Sequence, residues 1–225
     1  MKFPIPVSCS ACGCDFNALG YGNLTFPPVT CPNCEAAIHI IDPLTISVVG
    51  ERLLYRGQAE LDSGDFTMPI ICGAMAVETA LTRVYLKWRE IERGYGTATD
   101  ADREAWGEDY RAGVGRGGFA NSANFVSGYL MGKPFDSFVD DLAAKSGAAL
   151  TVPAIEMKTA HINAELFKRR NRIMHWGNVE YTKQDAQKAF EAALRAFDVL
   201  RVMDKTKADA ADRRMRAELG AAPIT

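Results

Sequence analysis

A mainly α-helical chain headed by a small cysteine-rich β module is the fold class that three observations predict. Five of the six cysteines lie within the first 34 residues. From about residue 66 onward, apolar residues recur every three or four positions, the period of an amphipathic helix. Glycine and proline then punctuate that pattern where helices should stop and start.

The cysteines come first. Cys9-Ser10-Ala11-Cys12 and Cys31-Pro32-Asn33-Cys34 are two C-x-x-C pairs separated by 18 residues, inside the window for a zinc ribbon. Each knuckle turns tightly enough to aim two thiolates at one ion, and two knuckles close a tetrahedron. Residues 1–42 are therefore expected to hold one structural Zn2+ on Cys9, Cys12, Cys31 and Cys34. A closed set of four thiolates leaves no open position for catalysis. Gly13 and Pro32 suit the knuckle turns, while Phe16 and the stretch Ala36-Ala37-Ile38-His39-Ile40-Ile41 supply an apolar face. Cys14 could stand in for Cys12 but reads as a spare thiol, and His39 as a strand residue. A thioredoxin-like redox centre would need a single C-x-x-C beside a βαβ pattern, which is absent. Residues 1–42 carry only Lys2 against Asp15, Glu35 and Asp42, so the module has no basic face for phosphates. Docking of a protein partner is the expected role.

Residues 43–65 read as a β hairpin or extended connector, because Leu44 to Tyr55 is rich in β-branched residues and broken at Gly50-Glu51. Residues 66–225 read as a helical bundle with a charged C-terminal extension. Ile70, Ala74, Val77, Leu81, Val84, Trp88 and Ile91 mark its first helix, stopped by Gly94 and Gly96. The glycine-rich stretch 94–118 is expected to be a long loop. Phe119 to Gly132 and Pro134 to Ser146 read as two shorter helices, the second closed by Gly147. A single long helix is expected from Pro153 to Trp176, with the apolar stripe Ile155, Ile162, Leu166 and Ile173. The last helix should start at Thr182, with Asp185 three residues on completing a cap, and should protrude or fray beyond Asp204.

Composition bounds the function. Hydrophobic residues make up 48% and charged residues 24%, with a formal net charge of -2, so polyanion binding would need a local basic patch. No signal peptide or membrane-spanning run is expected, which points to a cytoplasmic protein with reduced thiols. Gly113-Val114-Gly115-Arg116-Gly117-Gly118 matches G-x-G-x-x-G literally, but no buried strand precedes it, so it predicts no dinucleotide site.

The basic patch lies in Lys168-Arg169-Arg170-Asn171-Arg172-Ile173-Met174-His175. Residues 151–176 contain five basic side chains against Glu156 and Glu165. On a helix, Asn171 and His175 share a face roughly opposite the apolar stripe. Basic residues near a helix C-terminus are also favoured by the macrodipole alone, and a histidine there can simply cap carbonyls.

Arg170-Asn171-Arg172-Ile173-Met174-His175 resembles the R-x4-6-H motif of HEPN domains, in which a polar residue commonly follows the arginine. The likeness covers about residues 66–204 in helix layout, but its specificity rests on these six residues. It implies a helical bundle that acts as a metal-independent endoribonuclease, with Arg170, Asn171 and His175 as catalytic groups. Arg169 also falls within the allowed spacing. Lys168, Arg169 and Arg172 would contact substrate RNA, and a homodimer would bring two motifs into one site. A toxin or defence effector is the implied setting. In a toxin subgroup of the family a modified tyrosine lies two residues after the histidine, where this chain has Gly177, so that form of control is not implied. The alternative is a non-catalytic adaptor that binds RNA or nucleotide and docks a partner through its ribbon. A zinc-dependent transcription regulator is weaker, given the acidic ribbon.

Overall fold

The charged stretch Thr99-Asp100-Ala101-Asp102 forms a reciprocal capping box, with Asp102 N donating to Thr99 Oγ1 at 3.1 Å and Thr99 N donating to Asp102 Oδ2 at 2.9 Å. A helix therefore begins where a loop was expected, and it is one of several elements found in the computed structural model, which describes residues 3–9, 11–20, 29–38, 48–94, 97–146, 152–177 and 180–218. In chain order these are strands β1 Phe3–Ser8, β2 Asp15–Gly20, β3 Val29–Thr30 and β4 Ala37–Ile38, then helices α1 Val48–Ser63, α2 Met68–Arg93, α3 Asp100–Val114, α4 Phe119–Met131 and α5 Phe135–Ser146. A 3-10 turn at Ala154–Met157 leads into α6 Thr159–Ile162, a π turn at Asn163–Phe167, α7 Lys168–Trp176 and α8 Lys183–Glu218.

The strands make two small antiparallel hairpins. β1 pairs with β2 from Phe3 opposite Gly20 to Ser8 opposite Asp15, and β3 pairs with β4 through Val29 opposite Ile38 and Thr30 opposite Ala37. His39 and residues 40–47 lie outside the described residues, as does Gly147.

The helices build a bundle around α2. Its Ile70, Ala74, Val77, Leu81 and Val84 are fully buried, as the period implied, while Ile91 is exposed. Asp65 starts this helix, accepting from the backbone N–H groups of Thr67 at 2.8 Å and Met68 at 2.9 Å. Gly94 stops it in a positive-φ conformation. By length and composition α2 could span a bilayer, contrary to expectation, but 61% of its most apolar stretch is buried within the fold. That burial is what the central helix of a bundle requires.

α1 replaces the hairpin or connector expected at 43–65. The β-branched residues Val48 and Val49 open it, but Leu54, Gly57 and Leu61 follow at helical spacing and are all buried. Packing decides the outcome: Gly57 lets α1 approach so closely that a Cβ there would stand 2.7 Å from the Phe190 ring. Tertiary burial overrides β propensity. α3 likewise replaces most of the loop expected at 94–118. Its only buried residue is Trp106, so the apolar period was too weak to show it and the cap alone marks its start.

The single helix expected from Pro153 to Trp176 is broken into pieces. Ile155 is 63% exposed in the 3-10 turn and Met157 is buried instead. Asp136 on α5 then starts α6, accepting from the Thr159 backbone N–H at 2.8 Å and its hydroxyl at 3.0 Å. In the π turn, Leu166 and Phe167 are both buried, and Phe167 stacks on Phe119 with ring centroids 4.8 Å apart. A π turn takes up one extra residue, and both Leu166 and Phe167 meet the core within it.

α8 runs for 36 residues, about 54 Å at 1.5 Å per residue. Thr182 and Asp185 cap it reciprocally, with Asp185 N donating to Thr182 Oγ1 at 3.2 Å. Asp204, buried on this helix, accepts from Trp88 Nε1 and Lys87 Nζ, each at 2.7 Å.

Candidate functional site

The two knuckles of the N-terminal module have the same backbone design. Gly13 N donates to Cys9 O at 2.8 Å and Glu35 N donates to Cys31 O at 3.0 Å. Cys9 N and Cys31 N in turn donate to Cys14 O and Ala36 O. The residue after each second cysteine is left-handed, Gly13 at φ 70° and Glu35 at φ 58°. This geometry brings the sulfurs of Cys9, Cys12, Cys31 and Cys34 within 4.8 Å of one another, so they could hold a metal ion.

The sulfur spacing itself tests the fit. Cys9 and Cys34 sulfurs lie 3.6 Å apart and those of Cys12 and Cys31 3.7 Å apart. A disulfide needs about 2.05 Å, whereas a tetrahedron with metal–sulfur bonds of about 2.3 Å has edges near 3.8 Å. The Asn33 side-chain amide donates to Cys12 Sγ at 3.6 Å, and that bond helps to bring the Cys12 thiol down to about 6. Cys34 goes the other way: the Ala36 N–H favours its thiolate, but the crowding of Cys12, Cys9 and Cys31 pushes it up to about 12. Four thiols at this distance cannot all ionise without a cation among them.

The second candidate site is on α7. The extra residue of the π turn rotates everything after it by about 100° relative to an uninterrupted α-helix. Arg170 thereby comes round onto the side of α2, where Glu78 receives its guanidinium. Arg170 Nη1 also donates to Asn171 Oδ1 at 3.0 Å. Asn171 and His175 are exposed, one turn apart on the same face.

Arg169 is differently placed. It pairs with Glu165 and with Asp185, the latter at 3.4 Å, with only 17% of its side chain exposed. Its carbonyl accepts from the Tyr181 hydroxyl at 3.1 Å. Lys168 and Arg172 make no ion pair among the described residues. With Ala164, Arg169, Glu180, Tyr181 and Asp185 they line a cleft of about 340 Å³ between α7 and the start of α8. The helix ends at Gly177 in a positive-φ conformation, and none of its residues is fully buried.

Glu78 escaped the sequence reading, although a signal was there. It is the single charged residue between Met68 and Thr82, an interruption in an apolar helix that implies a partner. Tyr181 gave no such signal.

Compared with protein-family models, with curated proteins and with solved structures, the chain matches none of them. The likeness to HEPN domains therefore rests on the Arg170-to-His175 motif and the helical setting.

Proposed function

We propose that the protein is a metal-independent endoribonuclease whose site comprises Arg170, Asn171 and His175, completed by a second copy in a homodimer. The observation that carries this reading is the hydrogen bond from Arg170 to Asn171 on an exposed helix face, with the guanidinium anchored by Glu78 beside the only histidine of α7. Arg169, held by two carboxylates, is a scaffold residue in this reading, and Arg170 is the arginine of the site.

The chemistry follows from the groups. The 2′-hydroxyl of RNA attacks its own phosphorus, and the His175 imidazole can take or return the proton. The Arg170 guanidinium stabilises the charge gathering on the phosphoryl oxygens. Attack and leaving-group departure each need a proton carrier, so two His175 side chains across a dimer serve both. The products are a 2′,3′-cyclic phosphate and a 5′-hydroxyl. Lys168 and Arg172 hold the phosphates of the strand. The four-cysteine module binds a structural zinc, which would hold its two knuckles together, and presents an acidic surface to a protein partner. A cytoplasmic toxin or defence effector would have this design.

The test is cleavage of single-stranded RNA in EDTA. RNA is expected to be cut, DNA of the same sequence spared, and His175→Ala inactive. A requirement for added magnesium, or full activity in His175→Ala, would overturn the assignment in favour of a non-catalytic RNA-binding adaptor.

A further inference from the structure

Trp176 is 78% exposed at the end of α7, next to His175. The other two tryptophans are core residues, Trp88 at 4% and Trp106 at 7%. An indole left largely in water at the end of a charged helix exposes a large apolar face that a partner could cover. Its neighbours indicate what would cover it. Lys168, Arg172 and Trp176 follow one another at i, i+4 and i+8, so they form one stripe along the helix. The first two are exposed cations without an ion pair among the described residues, while Arg169 and Arg170 are each paired with carboxylates. The parallel row beside this stripe carries Asn171 and His175.

Two free cations followed by an aromatic face are the elements with which proteins bind unpaired nucleic acid: charge tracks the phosphates, and the ring stacks on a base of any sequence. Glu180 also lines the cleft beside Lys168 and Arg172, and its carboxylate would keep the phosphates of a strand on the α7 side. We propose that Trp176 stacks a base of single-stranded RNA whose backbone runs along Lys168 and Arg172, so placing the neighbouring phosphate at His175. This rests on the RNA reading above and adds a residue to it.

The probe is a 2′-O-methyl oligonucleotide, which lacks the attacking hydroxyl and cannot be cut, titrated against the full chain and against His175→Ala. Trp176 is the one solvent-facing indole, so stacking should quench its red-shifted emission on binding. An oligonucleotide of equal charge with abasic positions should bind more weakly and quench little. Trp176→Ala should weaken binding roughly 5- to 100-fold and Trp176→Phe should restore most of it. Lys168→Ala and Arg172→Ala should each lower the salt dependence by the share of about one phosphate contact. Binding without quenching, or equal affinity for the abasic strand, would overturn the proposal. So would a Trp176→Ala protein that turns monomeric while keeping its affinity, since Trp176 would then be a contact between copies. Cleavage of RNA without quenching would remove only the stacking role. Quenching without cleavage would keep the stacking role and remove the nuclease.

Discussion

Arg170 donates to the side-chain oxygen of Asn171 across 3.0 Å, whereas its neighbour Arg169 is turned to Glu165 and Asp185. Two adjacent arginines of one motif thus have different surroundings, and the difference can be measured.

Arg170→Ala should lower RNA cleavage by roughly 10²–10³-fold, the usual loss on removing one charge-stabilising donor, with little change in melting temperature. Arg169→Ala should act on stability, costing about 1–2 kcal/mol for two partly exposed ion pairs. Parallel melts and single-turnover rates decide it. Equal effects of both substitutions on rate, with none on stability, would sink the division of roles.

Glu78→Gln leaves the length of the side chain but removes the charge that orients Arg170. The rate of the chemical step should fall about 10-fold while KM stays nearly unchanged, because positioning is lost and not substrate contact. The pair is partly exposed, with side chains 26% and 45% accessible, so stability should change by less than about 1 kcal/mol. A raised KM at unchanged kcat would place Glu78 outside the site.

Metal analysis of protein purified without chelator should give about one zinc per chain. Cys31→Ser should lose it and unfold the module, because the binding energy of such an ion is much of the folding energy. In short assays EDTA should leave RNA cleavage unchanged. Metal-free protein with an intact N-terminal module would contradict the assignment.

Asp204→Ala should cost about 2–4 kcal/mol, since it strands the buried indole N–H of Trp88 and frees Lys87 from its carboxylate contact of 2.7 Å. Asp204→Asn keeps an acceptor for the indole and should cost less. Denaturant unfolding of both variants gives the comparison, and equal losses would show that the hydrogen bond to Trp88 contributes little.

Much of this molecule was legible before any coordinates. The two C-x-x-C pairs already specify the knuckles, because a turn of that length can aim its sulfurs in few ways. The apolar period of α2 is strong because its faces are buried by α1, α4 and α8, and Thr182 with Asp185 marks the start of α8 by local hydrogen bonding alone. Capping and periodicity act within a few residues, so a linear reading captures them. α3 buries only Trp106, so its capping box is the one local mark of the helix in the sequence.

What lay beyond the sequence were relationships across distance. Whether Val48–Ser63 is strand or helix was settled by Gly57 meeting the Phe190 ring, 133 positions away (190 minus 57). The π turn, in which Leu166 and Phe167 both meet the core, turns α7 by about 100°, a rotation that no count at 3.6 residues per turn anticipates. Neighbouring helix residues point about 100° apart, and that rotation sets the pair so that Arg170 meets Glu78 while Arg169 meets Asp185. The residue types and their spacing are written locally, but which side of a helix meets which carboxylate depends on how the whole bundle packs.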